Sequence, residues 1–342
     1  MAHSASEPAG RETRVPVHPG TGSRVSVVIC TKNRPDDLAQ AIASVRASGE
    51  AGQRAEIVVV EEAASPRPIS GVRYVHLAPK DLGFGYARNV AVREAGGDIL
   101  AFIDDDCVAE AGWLESLTAP LQANPKVLGV AGAVLVRDCS RIGYAENILG
   151  FPGGGLRYRH ATGGQVLPTR YLSTCNCAYR RDAIRQAGGF VEGARVGGED
   201  YLLAEKVSTL GACVYAPAAV VCHRPRGRLG AIFRWFARRG ESEIVLLGAT
   251  GARGDFLRFL IRSSWTWRAL VLLGALMAWP ALVFLVPPIA VLYYGAMLWR
   301  FRFARAYPTH RSAWWLVPIV KLTMDLGTEL GRWRALCVRQ PR

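Results

Sequence analysis

A short apolar run that ends in three acids constrains the fold of this chain more than any other feature. Ile99–Ile103 reads ILAFI, and it has the length and the residue types of a buried strand. Asp104, Asp105 and Asp106 follow it directly. Ligands of an open α/β sheet bind outside the carboxyl ends of the strands. The sequence therefore predicts a functional site at these acids.

The three acids also point to a cation. Adjacent anions repel one another, and a bound cation would relieve that repulsion. If the strand geometry continues, Asp104 and Asp106 project to the same side, because side chains alternate along a strand. One or two carboxylates, with water and phosphate oxygens in the other positions, suit a hard divalent ion. The alternative is a polar turn before the next helix, because Asp is a favoured N-cap residue.

Other apolar runs define the fold class. Strands are expected over 25–30, 57–60, 72–77 and 127–136, with a helix over 82–95. Strands that alternate with helices predict an α/β domain with a mostly parallel central sheet. The Gly-rich stretch 138–170 is expected to be a mobile, irregular loop over the site.

The net charge of +14 is unevenly distributed along the chain. Residues 1–223 carry 23 basic and 23 acidic side chains, whereas residues 224–342 carry 19 and 5. The basic residues coincide with apolar segments, which favours an anionic membrane surface over nucleic acid as the partner. The eight cysteines lack paired CxxC spacing, so we expect reduced thiols rather than a zinc site.

The C-terminal region has the composition of membrane-associated helices. Residues 269–286 are uncharged and just long enough to span a bilayer. Pro287-Pro288 is expected to end that helix, and 289–299 is too short for an ordinary span. Arginines on both flanks favour a re-entrant hairpin over 269–299 with both ends in the cytoplasm. Two strained spans, or a pair of soluble core helices, are the alternatives.

Three regions follow from these patterns. Residues 1–24 are rich in Pro, Gly, Ser and charge and predict a flexible tail. Residues 25–225 form the α/β domain, and residues 226–342 form the basic, apolar helical region.

Four segments, in order along residues 24–225, resemble the family-2 glycosyltransferases of GT-A fold. They read VSVVICTKNRP, GFGYARNVAVREAGGDILAFIDDDC, CNCAYRRDAIRQAGGF and GGEDYLLAEKVSTLG. The resemblance implies a nucleotide-diphosphate-sugar-binding domain. It also implies transfer of the sugar to a hydroxyl with inversion, with Mg²⁺ or Mn²⁺ as the cofactor.

The resemblance also implies roles for individual acids. Asp104 would contact the ribose of the donor, and Asp106 would ligate the metal that bridges the diphosphate. Asp200 would be the general base that deprotonates the acceptor hydroxyl, with Glu199 as the second choice. Both acids begin a predicted amphipathic helix, so capping of that helix is the alternative role. His223 would be a further metal ligand, although a histidine at a strand end is also compatible with a purely structural role.

Several residues are predicted to bind the donor. An arginine can bind phosphate through two hydrogen bonds, which favours arginines near the diphosphate. The family usually places Asp and a Gly-Ser turn after the second strand, whereas this chain has Glu61-Glu62, so the donor base stays open. The other candidates lie after the first strand and in the GYARN segment: Thr31, Asn33, Arg34, Arg88 and Asn89.

These patterns predict a metal-dependent enzyme at the cytoplasmic membrane whose catalytic domain faces the cytoplasm. The expected partners are a nucleotide-diphosphate sugar and a lipid or lipid-linked acceptor. A non-catalytic membrane adaptor with a degenerate nucleotide-binding head is one alternative, supported only by the altered Glu61 segment. A nucleotidyltransferase is another, but the TKNRP segment after the first strand is not a Gly-rich basic phosphate loop.

Overall fold

The computed structural model describes residues 23–192, 197–249 and 265–337. The predicted flexible tail over 1–24 lies almost entirely outside these residues. Within them, nine strands form one sheet, in the order β3-β2-β1-β4-β8-β6-β9-β5, with β7 paired to β9. The strands are β1 Val25–Lys32, β2 Glu56–Glu62, β3 Arg73–Leu77, β4 Ile99–Ile103, β5 Cys107–Ala109, β6 Val127–Leu135, β7 Leu167–Pro168, β8 Asn176–Arg180 and β9 Ala212–His223.

Strand pairing gathers the predicted site residues at one edge of the sheet. β1 pairs in parallel with β2 and β4, so the ends of these three strands meet. Thr31 stands opposite Glu61 in that register. β9 pairs antiparallel with β5, which sets His223 opposite Cys107, immediately after the three acids. The predicted α/β class with a mostly parallel central sheet is confirmed.

Helices cover both faces of this sheet. Pro35 at the first position of α1 and Asp36 and Asp37 in its first turn suit a helix start. Two apolar clusters, one on each face, pack Leu38 and Val90 against the strands. The helices are α1 Pro35–Ala47, α2 Glu50–Arg54, α3 Phe84–Glu94, α4 Trp113–Ala123, α5 Arg141–Ile148, α6 Gly155–Ala161, α7 Arg181–Gln186, α8 Glu199–Leu210, α9 Leu229–Ala249, α10 Trp265–Ala278, α11 Val286–Arg300, α12 Pro308–Arg311 and α13 Val317–Cys337.

The expectation of an irregular loop over 138–170 is wrong. The segment contains α5 and α6, and Ser140 caps α5 by accepting a hydrogen bond from the Gly143 amide. Ile148 of α5 and Leu156 of α6 are fully buried. They pack in a third cluster with Ile232, far along the chain. Glycines mask this helical signal in the sequence, and burial against a distant helix stabilises the short helices.

This third cluster joins the two regions on either side of the predicted boundary at 225. It contains α5 and α6 from the first region and α9 and α13 from the second. His310 Nε2 also lies 3.2 Å from Asn147 Oδ1 across this contact. The helical region therefore shares a core with the α/β domain.

The break in the apolar C-terminal segment is not where the sequence predicts it. α10 ends at Ala278, and the chain turns at Trp279. A 3₁₀ segment, Pro280–Leu285, then leads directly into α11. Pro287 and Pro288 lie in the first turn of α11, where the missing amide hydrogens have no intrahelical partner to lose. In the described part of the chain, Pro280–Arg300 is long and apolar enough to cross a membrane, and almost none of it is buried.

Candidate active site

The end of β1 is fastened to the acid run. The Thr31 hydroxyl donates a hydrogen bond to Asp105 at 2.6 Å. Arg34, on the loop after β1, donates to Asp105 at 3.1 Å and to Asp106 at 3.3 Å. Asp105 is buried, and its burial raises its pKa even though Thr31 and Arg34 stabilise the anion. Asp105 therefore links the end of β1 to the acid run, and Asp104 and Asp106 lie on either side of it in the sequence.

A buried arginine connects the acid run to α8. Arg88, on α3, is 7% exposed and pairs with Glu199. Its other terminal nitrogen lies 3.5 Å from Asp104 Oδ1. Burial raises the pKa of Glu199, against the effect of Arg88. Arg88 and Glu199 thus form a buried pair that fixes the first turn of α8 against the sheet.

Burial and the neighbouring acids act on the pKa of Asp104. Burial, and then the negative charges of Asp106, Asp105 and Asp200, raise its pKa to about 7 despite the nearby Arg88. A cation at this point would lower that pKa, because an opposite charge within a few ångströms favours the ionised form. The cleft therefore has the electrostatic character of a cation site.

Asp106 and His223 fit a divalent metal. His223 Nε2 lies 3.3 Å from Asp106 Oδ1, and burial lowers the pKa of the ring, which favours the neutral form that ligates metals. Neighbouring ligands of an octahedral ion at about 2.1 Å stand roughly 3 Å apart. Among the described residues, no group of three His, Cys, Asp or Glu side chains converges on one point. The protein would supply few ligands here, and water and phosphate oxygens would complete the shell.

Asp200 lies beside this group but in a different environment from Glu199. Its Oδ2 accepts a hydrogen bond from the Ser173 hydroxyl at 3.3 Å, and its Oδ1 accepts one from the Tyr201 amide at 2.8 Å. Glu199 is 4% exposed, whereas Asp200 is only half-buried. The carboxylate that an incoming group can reach is therefore that of Asp200.

Glu61 and Asn89, two of the predicted donor-binding residues, make contacts within the protein. Glu61 is 1% exposed, accepts a 2.7 Å hydrogen bond from the Tyr74 hydroxyl and also pairs with Arg67. The Asn89 amide donates to the Phe190 carbonyl at 2.9 Å and accepts from the Phe190 amide at 2.9 Å. The contacts of Glu61 thus stabilise the segment after β2, and those of Asn89 stabilise the segment before α8.

Asn33, another predicted donor-binding residue, lies at the surface of the protein. It is exposed on the loop between β1 and α1, in the left-handed backbone region at φ 55°. Asparagine tolerates that conformation better than most residues. Its side chain is open to solvent, as a residue that meets a ligand must be.

Sequence reasoning missed two residues that interact with Asp200. Ser173 and Tyr171 lie on the segment before β8, and the charge of Asp200 acts on the Tyr171 hydroxyl. Burial raises the pKa of Tyr171 to about 12. The sequence signal for these residues was two polar side chains shortly before a buried strand. Their partner Asp200 lies on α8, 27 positions after Ser173.

Comparison with known proteins shows which proteins this region resembles. The sequence model described as Glycosyl transferase family 2 matches residues 26–188. A glucosyl-dolichyl phosphate glucuronosyltransferase of Haloferax volcanii is 26% identical over 49% of this chain and 56% of its own length. A pre-mycofactocin glycosyltransferase of Mycobacterium tuberculosis is 30% identical over 63% of this chain and 45% of its own length. The chain thus spans about half the length of these two curated relatives.

Two further matches complete the comparison. The succinoglycan biosynthesis protein ExoM of Rhizobium meliloti is 27% identical over 65% of this chain and 73% of its own length. The fold is similar to that of the mannosyltransferase PcManGT from Pyrobaculum calidifontis, solved in complex with GDP-Man and Mn²⁺. That match has a TM-score of 0.53 and 18% identity and covers 90% of this chain and 87% of the other.

The fold, the segments that carry the resemblance and these matches agree with one another. The described α/β domain contains the whole matched range, and the acid run ends its central strand. Over residues 26–188 the chain is similar to family 2 of the glycosyltransferases, and its α/β domain has the GT-A fold.

Proposed function

We propose that this protein transfers a sugar from a nucleotide-diphosphate sugar to a hydroxyl of a lipid or lipid-linked acceptor, by metal-dependent, inverting single displacement. One observation carries the proposal. Asp104 of the acid run and Glu199, which directly precedes the accessible Asp200, both lie against Arg88, and the Asp104 carboxylate is 3.5 Å from it. The cleft thus offers groups for a diphosphate and a base for a hydroxyl within reach of each other.

The chemistry needs one base and one group that stabilises the departing diphosphate. The acceptor oxygen attacks the anomeric carbon as the bond from that carbon to the diphosphate oxygen breaks. Asp200 accepts the hydroxyl proton, and the nucleoside diphosphate leaves with the electron pair of the broken bond. Position contributes strongly to such a step, and the hydrogen bond from Ser173 orients the Asp200 carboxylate.

The metal would be held by Asp106 and His223, with Asp104 facing the same space. Mg²⁺ or Mn²⁺ there would supply Lewis-acid stabilisation of the charge on the leaving diphosphate. Arg34 lies on the other side of Asp106 and adds positive charge to the same end of the cleft. The complex of the similar mannosyltransferase with GDP-Man and Mn²⁺ is consistent with this choice of cofactor.

The names of the relatives support the acceptor class. One is described as acting on glucosyl-dolichyl phosphate, which is a lipid-linked sugar. Another is described by its part in succinoglycan biosynthesis. A lipid-linked acceptor also suits the apolar C-terminal surface of this chain.

That surface supports association with the cytoplasmic membrane. α10 and α11 are apolar and almost entirely exposed. One face of α13 and of the 3₁₀ turn directly before it adds a stripe of exposed apolar side chains, and tryptophans near both ends suit a membrane interface. The residues of this stripe are Trp315, Ile319, Leu322, Leu326, Trp333 and Leu336.

Both ends of the apolar segment return to the same body, which favours the hairpin. At one end, the Thr266 hydroxyl donates to Glu329 on α13 at 2.9 Å. At the other end, Met297 and Phe301 are buried in the third cluster. A helix that crossed the membrane once would place these two ends on opposite sides. We therefore propose a re-entrant hairpin over 265–300, with the catalytic domain in the cytoplasm.

The direct test is donor turnover by the full chain purified in a mild detergent. UDP- and GDP-sugars are offered one at a time with Mn²⁺ or Mg²⁺, and release of the nucleoside diphosphate is measured. We expect turnover of at least one donor, loss of it in a chelator and loss of it in Asp106→Asn. Full turnover in the chelator would overturn the metal dependence. The absence of turnover and of nucleotide binding for every donor would favour the adaptor alternative.

A further inference from the structure

The first half of α9 and the residues just before it bring arginines and aromatic rings together near His223. Arg226 stacks on the Trp235 ring at 4.1 Å, and its charge acts on His223. Trp235 packs edge-to-face against Phe151, with ring centroids 6.1 Å apart. Arg239, one turn after Trp235, lies over the Phe151 ring at 5.2 Å. Two arginines and two aromatic rings thus form one continuous group.

The two arginines differ in how their charges are balanced. Arg226 pairs with the buried Glu146 at 2.8 Å. Arg239 pairs with Glu243 at the longer distance of 3.7 Å, and the same carboxylate accepts a 2.8 Å bond from Arg332. The side chain of Arg239 is also 38% exposed, against 18% for Arg226. The charge of Arg239 is therefore only partly offset and open to an incoming anion.

Tyr171 connects Arg239 to the surroundings of the proposed base. Tyr171 lies two residues before Ser173, which donates to Asp200 at 3.3 Å, and the charges of Asp200 and Arg239 both act on the pKa of the Tyr171 hydroxyl. The donor side has a cation of its own, because Arg34 is exposed on the loop after β1, where it contacts Asp105 and Asp106. A second anion that approaches Asp200 from the α9 side would meet Arg239 first.

We propose that Arg239, with Tyr171 and the Phe151–Trp235 ring pair, is the acceptor subsite and binds the phosphate of a lipid-linked sugar phosphate, whose sugar supplies the hydroxyl. This inference rests on the proposed function and names its acceptor class. A guanidinium binds a phosphate through two parallel hydrogen bonds. The two rings offer an apolar edge beside it for the first part of a lipid chain or for the face of a sugar.

Electrostatics gives the reason for a cation at this point. An acceptor phosphate must approach a cleft that already holds Asp104, Asp106 and Asp200. Like charges this close repel one another, and that repulsion would weaken binding. A partly exposed arginine beside the base offsets it and leaves the hydroxyl within reach of Asp200.

The test measures binding to the full chain in a non-ionic detergent by calorimetry. The probes are farnesyl phosphate, farnesol, inorganic phosphate and, separately, UDP and GDP. The variants are Arg239→Gln, Arg239→Lys and the matched control Arg238→Gln, whose side chain is exposed on the same helix. Hydrogen bonds to charged groups contribute about 1.5–3 kcal/mol, so Arg239→Gln should weaken farnesyl phosphate binding roughly 10- to 100-fold. Arg239→Lys should restore part of the affinity, and Arg238→Gln should bind as the wild type does.

The outcomes separate the two proposals. Nucleotide binding that persists in Arg239→Gln would show that the donor pocket is intact, and the loss would then belong to the acceptor subsite. Equal binding of farnesol and farnesyl phosphate to the wild type would overturn the phosphate subsite, as would an equal loss in Arg238→Gln. Inorganic phosphate that binds as tightly as farnesyl phosphate, in an Arg239-dependent way, would overturn the lipid assignment. Absence of nucleotide binding in the wild type would count against the proposed function and leave the phosphate result to be judged by itself.

Discussion

At the scale of single residues, the adjacent acids Glu199 and Asp200 show why sequence alone could not assign their roles. Both begin α8, and their pattern fits helix capping as well as catalysis. The structure separates them through Arg88, which lies 111 positions before Glu199 and pairs with it in the interior. A contact over that sequence distance leaves no local pattern. The same reason explains Glu61 and Asn89, whose partners occupy side chains that the family resemblance assigns to the donor.

The first prediction concerns these two acids. Asp200→Asn should leave donor binding near the wild-type value, because Asp200 faces the acceptor, while kcat falls about 10²- to 10⁴-fold. Glu199→Gln should instead lower the melting temperature, because breaking a buried ion pair costs about 3–5 kcal/mol. Nucleotide calorimetry, steady-state rates and thermal unfolding measure the three quantities. Equal loss of donor binding in Asp200→Asn would make Asp200 a donor ligand.

The second prediction concerns His310, which links the helical region to the α/β domain. Burial lowers its pKa to about 4, below the ordinary value of about 6.5 in an unfolded chain. Between these values the unfolded chain binds the proton and the folded chain does not, so acid favours unfolding. The stability associated with this residue is present above pH 6.5 and is lost as the pH falls towards 4.

Thermal unfolding at several pH values between 7.5 and 4.5 tests this linkage. The wild type should lose more of its melting temperature over that interval than His310→Gln, whose amide nitrogen can still donate to Asn147. Identical slopes for the two proteins would contradict the assignment.

At the scale of secondary-structure elements, the sequence correctly predicted several of the strands, because each of these has an apolar pattern of its own. The strands over 25–32, 56–62 and 99–103 are apolar runs buried on both faces, and their pattern is sufficient to identify them. The helices α5 and α6 were missed, because their glycines interrupt the pattern and their apolar faces are completed by α9 and α13. The turn at Trp279 was misplaced to Pro287-Pro288, because two prolines are harmless in a first helical turn.

The third prediction concerns the contact between α9 and α13. Their backbones touch at glycines, and a Cβ on Gly331 would lie 1.8 Å from the Ala237 carbonyl oxygen. Gly331→Ala must therefore separate the helices, and overpacking of this kind typically costs about 1–3 kcal/mol. Gly274→Ala is the matched control, because its Cβ would meet nothing within 4 Å and alanine favours the helix. Chemical denaturation should show a loss for Gly331→Ala and no loss for Gly274→Ala, and equal effects would contradict the close contact.

At the scale of the whole molecule, the C-terminal region has two roles. Some of its side chains belong to the buried core, and others form an exposed apolar surface. The sequence divided the chain at 225, because composition and charge change there. The third cluster crosses that division, so α9 and α13 complete the fold that holds Tyr171 and Arg239 near Asp200. The apolar surface of the same region can then set the distance between the active site and a membrane. Composition alone could not reveal this double role, because a helix that packs against a domain and a helix that lies in an interface share the same amphipathic pattern.

The last prediction tests whether both ends of the apolar segment lie on the same side of the membrane. In the hairpin, both Thr266 and Phe301 remain attached to the cytoplasmic body, and only the turn near Trp279 enters the membrane. A reporter of compartment fused after Arg305 should therefore report the cytoplasm, and the same reporter after Cys337 should agree with it. Extraction of membranes with 1 M salt should leave the full chain bound, because apolar burial is not screened as surface charge is. A reporter found outside after Arg305 would show a single crossing by Pro280–Arg300, and it would require the contacts of α11 with the third cluster to be absent in the membrane. Release by salt alone would instead assign the anchoring to the arginines, so the two measurements distinguish the hairpin from a single crossing and from purely electrostatic anchoring.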